Sequence, residues 1–321
     1  MGRAAPFLVL LVGVIAASSS SILIRYAQQE GIASLAIAAW RMVLASLVLV
    51  PLALATRRTE LRGMQPRSVL VAGLAGLFLA AHFVTWISSL EYTSVASSAA
   101  LVTTNPIWVG LATVLLFRER LARLTVLGIA ISLLGCLLII WVDLRAGSAA
   151  LAPGRQPLLG NALALVGALG ISAYLLTGRG VASRFSLLVY VTLVYGAAAV
   201  VLAAVAIVAG VELWRYPSSG WWALIGLALG PQLAGHTAFN WALRRLSPTF
   251  VALSILGEPV GSAALASLLF TETPGGLQVV AFATLLAGIG VAALGESQAP
   301  PPGTAGEASD LTASASPPRR A

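Results

Sequence analysis

The fold is decided by two stretches of similar sequence, 105-NPIWVGLATVLLFRER-120 and 258-EPVGSAALASLLFTET-273. In each, a proline is followed thirteen residues later by a glutamate that closes a Phe-x-Glu sequence. Pro106 and Pro259 are 153 residues apart (259 − 106 = 153), and the same offset superimposes Glu119 on Glu272. The chain is therefore predicted to contain a duplicated unit.

The composition is that of a membrane protein. Hydrophobic residues make up 59% and charged residues 9% of the 321 residues, and the mean hydropathy is +0.94. A soluble domain carries about 25% charged residues, so this chain has too little polar surface to cover a soluble globule. Its uncharged runs of about 20 residues are long enough to cross a bilayer. Buried helices of a large soluble protein are the alternative source of such runs.

Ten membrane-spanning helices are predicted, which makes the chain an all-α membrane protein. The first apolar run, followed by residues 18–21, resembles a signal peptide, but apolar character resumes at residue 22 and we predict an uncleaved span. The predicted spans are residues 6–25, 32–55, 68–90, 94–117, 124–142, 158–177, 187–211, 221–243, 249–270 and 276–294.

The arginines predict the orientation of these spans. All 19 basic residues are arginine, and with a cytoplasmic N-terminus twelve fall in cytoplasmic loops against four in outer segments, Arg25 among the four. Cytoplasmic loops carry an excess of basic residues, so both termini are predicted to be cytoplasmic. The net charge of +8 is read as this topology signal, and no nucleic-acid partner is expected.

Five helices per unit would invert the second unit relative to the first. The loop after the fourth span carries arginines, whereas its equivalent after the ninth span, around Glu272, carries none. Two inverted five-helix repeats are an architecture found in transporters. We predict a first repeat at residues 1–143, a linker at 144–157, a second repeat at 158–295 and a disordered cytoplasmic tail at 296–321.

The chain resembles the drug/metabolite transporter superfamily, specifically its ten-helix members with two EamA-type repeats. The resemblance lies in Ala39-Trp40-Arg41, in Leu90-Glu91-Tyr92-Thr93-Ser94, in the two Pro–Glu stretches and in Gly288 and Gly290 of the last helix. It covers about residues 7–295. It implies a bacterial-type inner (plasma) membrane location and alternating access, usually for export of amino acids, other metabolites or toxic compounds.

Arg41 and Glu258 are the two charges predicted to lie well inside spans. A charge at the bilayer centre costs about 2.5–3.5 kcal/mol on insertion scales, so it normally faces a polar cavity or a partner. Glu258 is interpreted as a cavity carboxylate that binds a substrate amine or a proton, or as a structural group beside Pro259. Arg41 is either an anion site or a packing residue that binds helix-end carbonyls or Glu258 itself.

The two prolines predict helix breaks near the middle of the membrane. Pro106 and Pro259 lack an N–H group and disturb the preceding turn, which frees backbone carbonyls that protein or a water cavity must cover. Asn105 and Glu258 precede the prolines at equivalent positions, and Thr104 adds a hydroxyl. Substrate binding and simple bending for packing are both consistent with this pattern.

Further candidates for substrate binding or coupling are His82, His236, Asn240 and Trp86. An intramembrane imidazole can carry a proton or bind substrate, although packing histidines are as common. Trp86 could stack on a substrate. Two histidines without other close ligands make a metal site unexpected. Glu272 is expected to be a solvated helix-end charge, with a salt bridge to a nearby arginine as the alternative.

These observations favour a secondary transporter that exports small organic solutes, such as amino acids or related amines, by alternating access. No GxxxxGK[ST], HExxH or GxSxG motif and no pair of intramembrane aspartates occurs, so neither an enzyme nor a cofactor is expected. The alternatives are a sugar-phosphate or nucleotide-sugar exchanger, which would need more basic groups than Arg41, an intramembrane enzyme, and a receptor-like protein. The sequence does not indicate an oligomeric state.

The inverted arrangement makes a direct prediction about topology. A cysteine placed in the turn at residues 118–123 and one placed in the turn at residues 271–275 should react with an impermeant maleimide from opposite sides of the membrane. Labelling of both turns from the same compartment would contradict the inverted repeat.

Overall fold

The structure, a computed structural model, describes residues 5–117, 122–146, 156–182, 184–242, 254–255 and 257–297. Every regular element in these ranges is a helix. The helices are α1 (Ala5–Ser18), α2 (Ser20–Gln29), α3 (Ser34–Thr56), α4 (Arg58–Arg62), α5 (Pro66–Tyr92), α6 (Val95–Val102), α7 (Asn105–Phe117), α8 (Arg123–Ala146), α9 (Pro157–Ala182), α10 (Leu187–Val208), α11 (Ser218–Leu227), a π-helix (Ala228–His236), α12 (Thr237–Ala242), α13 (Gly257–Phe270) and α14 (Gly276–Ser297).

Eight helical segments of the described residues are long and apolar enough to cross a membrane, so the prediction of an all-helical, multi-pass chain is confirmed. The predicted spans at 221–243 and 249–270 are not among the eight. The first of these is divided into α11, the π-helix and α12, and the second is described as a helix only from Gly257 onwards, apart from residues 254–255. The total of ten crossing helices stays a prediction.

Several predicted spans were too short, and in two of them the prediction ended at or next to a buried charge. The first helix pair continues beyond residue 25 to Gln29, and α8 continues beyond residue 142 to Ala146. Arg25 is therefore a helix residue that is only 4% exposed, not part of an outer segment, and Asp143 is 6% exposed. The predicted spans ended at these charges because a hydropathy scale takes no account of the polar partners that allow a charge to be buried.

Helices of the first half pack mainly against helices of the second half. Helix α5 lies along α9, α8 lies along α14, and α10 contacts both α3 and α5. The pair α1 and α2 packs against α11, the π-helix and α12. The two halves therefore share one core and do not form two separate bundles.

The contact between α8 and α14 is reciprocal at the offset of 153 residues. A Cβ atom added to Gly135 would lie 2.5 Å from the backbone N of Leu285, and one added to Gly288 would lie 2.4 Å from the backbone N of Ser132. Gly288 is the equivalent of Gly135 (288 − 135 = 153), and Leu285 is the equivalent of Ser132 (285 − 132 = 153). Each residue of one unit thus contacts the same partner position in the other unit as its equivalent does in return. Reciprocal contacts of this kind are those of a twofold arrangement.

A second pair of contacts repeats this relation away from the α8–α14 seam. A Cβ atom at Gly170 of α9 would lie 2.9 Å from the backbone N of His82, and one at Gly235 of the π-helix would lie 3.2 Å from the backbone N of Ala17. Gly170 and Ala17, and likewise Gly235 and His82, are 153 residues apart. The helix pair α5–α9 therefore corresponds to the pair formed by the π-helix and α1.

Two ends of the bundle can be distinguished. The turns at residues 30–33, 93–94 and 271–275 lie at one end, which we call the outer end because the arginine distribution predicts that it faces away from the cytoplasm. At the opposite end, Glu60 Oε1 of α4 accepts a hydrogen bond from the backbone N–H of Ser186, at 2.6 Å.

The α8–α14 seam predicts a sharp difference between two glycine substitutions. Gly128→Ala would place its Cβ atom 2.2 Å from the backbone N of Ala292, whereas Gly73→Ala has nothing within 4 Å. Because backbone cannot yield as a side-chain end can, we expect Gly128→Ala to destabilise the protein by about 1–3 kcal/mol. Its apparent Tm in detergent should fall by several degrees, while that of Gly73→Ala should stay the same or rise. Equal Tm values for the two variants would contradict the close seam.

Candidate functional site

The candidate site is built around Arg41 of α3, whose side chain is 0% exposed. Its Nε donates to Gln232 Oε1 at 2.8 Å, and its Nη1 donates to Ser20 Oγ at 2.8 Å. The guanidinium carbon lies 4.3 Å from the ring centroid of Phe83 and 5.9 Å from that of Trp86. One side chain thus joins α2, α3, α5 and the π-helix, and through Gln232 it joins the two halves of the chain.

The π-helix brings Gln232 to this position. Pro231 lies inside it and cannot donate a backbone hydrogen bond, which disfavours a regular α-helix here. π-Helical turns are uncommon and occur frequently at functional sites. The local change of register leaves the Gln232 side chain facing Arg41 and only 1% exposed. The π-helix ends at His236. The equivalent helix of the first half, α5, runs unbroken over 27 residues.

Two histidine rings lie next to the Phe83 ring. The His82 ring stacks on Trp86 with centroids 5.7 Å apart and an angle of 18°, and its Nδ1 lies 2.8 Å from the carbonyl oxygen of Gly167. Because a carbonyl only accepts, Nδ1 carries the proton in this bond, which leaves Nε2 as the acceptor of the neutral ring. His236 meets Phe83 edge-on at 6.3 Å. The two predicted histidines are therefore brought into one cluster.

Glu258 completes the charge balance of the cluster. It is the second residue of α13, it is partly exposed, and it interacts electrostatically with Arg41. Tyr195 of α10 is buried beside Arg41, and its side chain also interacts with Gln232. Helix α13 is held against the first helix by Ser262, whose Oγ donates to the backbone oxygen of Ser18 at 2.9 Å.

Two hydrogen-bond donors in the cluster have no partner among the described residues, Arg41 Nη2 and Trp86 Nε1. Both atoms are buried, and an unsatisfied buried donor costs free energy comparable to a lost hydrogen bond. Each would be satisfied by an acceptor oxygen entering the cluster. The arrangement is therefore chemically suited to a solute with a carboxylate or a similar oxygen-bearing group.

Not all the predicted residues join this cluster. The Thr104 hydroxyl donates to the backbone oxygen of Leu101 at 2.7 Å and accepts from Trp108 Nε1 at 3.0 Å. The backbone oxygen of Asn105 accepts from Ser172 of α9 at 3.2 Å. These hydrogen bonds of Thr104 and Asn105 are made with α6, α7 and α9 and do not involve Arg41. The side chain of Asn240 lies outside the described residues.

A helix interruption is described next to Pro106, whereas residue 256, just before the helix that carries Pro259, lies outside the described residues. The fourth span is divided at residues 103–104, and Pro106 is the second residue of α7. Pro259 is the third residue of α13. The two segments pack on corresponding partners, α7 on α9 and α13 on α1.

Sequence reasoning missed four residues of the cluster, Phe83, Gln232, Ser20 and Tyr195. Phe83 carries no polar signal and is recognised only by its place between Arg41 and the histidines. Gln232 could have been found, because an amide beside a proline inside an apolar span has to be satisfied by a partner. Among the described residues, no three His, Cys, Asp or Glu side chains are grouped as metal ligands.

A second polar cluster lies at the outer end and includes Glu272, which was expected to be a solvated charge at a helix end. Arg25 Nη1 donates to Glu272 Oε1 at 2.7 Å, so Glu272 is a paired charge and not a solvated helix end. Asp143 accepts from Asn161 Nδ2 at 2.8 Å and from Gln278 Nε2 at 3.0 Å. A cavity of about 1300 Å³ adjoins these groups. Glu119, the equivalent of Glu272, lies outside the described residues.

Comparison with known proteins gives two findings. A profile of a family described as the EamA-like transporter family matches residues 5–141 and residues 158–294. The second match begins and ends 153 residues after the first (158 − 5 = 153; 294 − 141 = 153), which is the spacing of the two prolines. No curated protein matches the chain.

A solved crystal structure, described only as that of a protein, shares the fold. It is 23% identical to this chain, has a TM-score of 0.61, and is matched over 91% of this chain and 98% of its own. At this identity the similarity establishes the architecture alone.

The bond between Gln232 and Arg41 can be tested by two substitutions at one position. Gln232→Leu removes the acceptor and leaves Arg41 Nε buried without a partner, which should destabilise the protein by about 1–3 kcal/mol. Gln232→Glu keeps an acceptor for Arg41 and should retain more stability than Gln232→Leu. The measurement is the apparent Tm in detergent. An equal fall in Tm for Gln232→Leu and Gln232→Glu would show that stability depends on the amide group itself and not on its hydrogen bond to Arg41.

Proposed function

This chain belongs to the EamA-like transporter family, and we propose that it is a secondary transporter that exports small organic metabolites by alternating access. The proposed substrates are amino acids or related amines. The proposal includes ten crossing helices in two inverted five-helix units, residues 1–143 and 158–295, with a linker at 144–157 and a cytoplasmic tail at 296–321. It also includes a bacterial-type inner membrane as the location, with both termini in the cytoplasm.

The reciprocal contacts support the inverted arrangement. Gly135 meets Leu285 as Gly288 meets Ser132, and the offset of 153 residues is also that of the two matched regions. With an odd number of crossings per unit, such a twofold axis lies in the membrane plane and produces two halves of opposite orientation. Alternating access then needs only that the halves exchange their conformations.

The observation that carries the substrate assignment is the pair of unpartnered donors beside a carboxylate. Arg41 Nη2 and Trp86 Nε1 offer N–H groups to an anionic oxygen, and Glu258 offers an acceptor to an ammonium group. The rings of Phe83 and Trp86 supply flat apolar walls, and both can also attract a cation. These features together favour a small zwitterion or an amine over a purely anionic solute.

The charge of the cluster disfavours a phosphate-bearing solute. A phosphate dianion is usually held by several charge-assisted bonds from basic groups. Arg41 is the one guanidinium in the cluster among the described residues, and Gln232 and Ser20 already occupy two of its nitrogens. The electrostatic interaction with Glu258 further reduces its attraction for a second negative charge.

The proposal is tested by counterflow into proteoliposomes that contain the purified protein. Radiolabelled neutral, acidic and basic amino acids and simple amines form one panel, and sugar phosphates and nucleotide sugars form the other. Counterflow of at least one member of the first panel, absent from protein-free liposomes, is the expected result. Counterflow confined to the second panel, or to neither panel, would contradict the proposal.

Glu258→Gln tests whether the carboxylate takes part in transport. If Glu258 binds a proton or an ammonium group, this variant should reduce transport about tenfold or more and should lose its pH dependence, because the amide neither titrates nor forms an ion pair. Glu91→Gln is the matched control, since the Glu91 carboxylate is bonded to Ser34 Oγ away from the cluster. Transport by Glu258→Gln that stays fully pH-dependent would exclude the proton role.

A further inference from the structure

The outer end carries an ion pair, with a buried arginine and a partly exposed glutamate, that fastens three separate segments together. Arg25 of α2 donates from Nη1 to Glu272 at 2.7 Å and from Nη2 to the backbone oxygen of Thr93 at 2.9 Å. The other carboxylate oxygen of Glu272 accepts from the backbone N–H of Val95 at 3.0 Å, at the first turn of α6. Negative charge at a helix N-terminus is favourable, so this bond adds to the ion pair.

The ion pair is continuous with the Asp143 group. Thr93 Oγ1 donates to Asn161 Oδ1 at 2.9 Å, and Asn161 in turn donates to Asp143 at 2.8 Å. Gln278 of α14 donates to Asp143 at 3.0 Å. We call this set, Arg25, Thr93, Asp143, Asn161, Glu272 and Gln278, the outer network. Arg25 and Thr93 come from the first matched region, and Asn161, Glu272 and Gln278 come from the second. Asp143 lies two residues beyond the end of the first region.

The outer network differs chemically from the Arg41 cluster. Both oxygens of Glu272 and both oxygens of Asp143 are already occupied by donors of the protein. Neither carboxylate is left to hold a solute cation, although Arg25 Nε, like Arg41 Nη2, is a buried donor without a partner among the described residues. The carboxylates of the outer network are therefore suited to fastening the two halves together and not to binding a cation.

The ion pair lies on the wall of the outer cavity, close to the Arg41 cluster. Ser20, which accepts from Arg41, and Arg25 are five residues apart on one stretch of helix, or about 7.5 Å along its axis. Arg25 and Glu272 also line the cavity of about 1300 Å³. Between Ser20 and Arg25 lies Ser21, on the same helix face as Arg25, 1% exposed and with no partner for its hydroxyl.

The arginine of the pair is present in only one of the two units. The residue equivalent to Arg25 is Gly178 (178 − 25 = 153), and a Cβ atom there would meet the Tyr190 hydroxyl at 2.0 Å. The place that a side chain would occupy at this position is thus filled by a tyrosine. The ion pair is therefore not an automatic result of the duplication.

We propose that the outer network is a latch between the two halves that keeps the outer end closed, and that the Arg25–Glu272 pair must separate whenever the Arg41 cluster opens to the outer cavity. The proposal builds on the proposed transport function in one respect only, that the outer end opens. Release of the latch would free α2, the start of α6 and the turn at residues 271–275 from one another. Substitutions that weaken the pair would then shift the population towards the open outer end.

The test uses a single cysteine at residue 21, which lies between Ser20 of the Arg41 cluster and Arg25 of the latch. Ser21→Cys replaces one small side chain by another, in a Cys136→Ala background that removes the one native cysteine. The rate of reaction with an impermeant maleimide is measured in right-side-out and in inverted membrane vesicles. A separate Thr273→Cys protein identifies the vesicles in which the reagent reaches the outer end.

Adding Glu272→Gln should raise the labelling rate of the Ser21→Cys protein about fivefold or more from the outer-end side, the shift expected when one charge-assisted hydrogen bond is weakened. Glu91→Gln is the matched control, because Glu91 is a carboxylate at the same end whose partner, Ser34, lies in the same half. It should leave the rate unchanged. An apparent Tm for each variant shows that it is folded.

If Glu272→Gln does not fold, Gln278→Leu weakens the Asp143 side of the outer network and should raise the rate about twofold. The proposal would be overturned if the folded variants were labelled at the same rate as the Ser21→Cys protein without a second substitution. An equal rise in the labelling rate of the Glu91→Gln variant would also overturn it. Because labelling needs no solute, this result is independent of the counterflow assay. Loss of transport and loss of the latch are therefore distinguishable.

Discussion

The structure depends on the need to satisfy a fully buried guanidinium without bulk water. Arg41 meets this need by bonding to Gln232 in one half of the chain and to Ser20 in the other, while Phe83 lies 4.3 Å from its charge. A buried charge that loses a partner is strongly destabilising, so these residues have to stay together through folding. The π-helix, the first helix pair and α5 are all positioned by this one side chain.

Two polar clusters therefore follow one another along the first helix pair, and they are built in opposite ways. At Ser20 the cluster leaves N–H groups of Arg41 and Trp86 unpartnered, which favours the entry of an acceptor. At Arg25 the carboxylate oxygens of the partners are all occupied, which favours a closed contact. The same helix pair thus contacts one group whose unpartnered donors can accept a ligand and another whose carboxylate oxygens are already bonded within the protein.

Much of the architecture could be predicted from the sequence, because it rests on repetition and apolar length. The spacing of Pro106 and Pro259 gave the same offset of 153 residues that the reciprocal glycine contacts and the two matched regions have. Buried charges were predicted less well. Arg25 and Asp143 were placed in or at the ends of loops because hydropathy penalises a charge regardless of its partner.

The candidate site was predictable only in part for a similar reason. Arg41, His82, Trp86, His236 and Glu258 carry polar atoms inside apolar spans and were found, and the fold gathers them. Phe83 has no such signal, and the register that aims Gln232 at Arg41 arises from a π-helix that periodicity does not show. Thr104 and Asn105 were chosen on the same grounds as the others, but their described contacts are made with α6, α7 and α9.

The close seam between α8 and α14 has a consequence for how the molecule can change shape. At Gly128, Gly135 and Gly288 the opposing backbones approach so closely that not even a methyl group fits between them. Because the two backbones pack this closely, we expect α8 and α14 to move as one body that belongs to both halves. Any rocking of the remaining helices would then turn about this pair, with the largest displacements in the elements farthest from it.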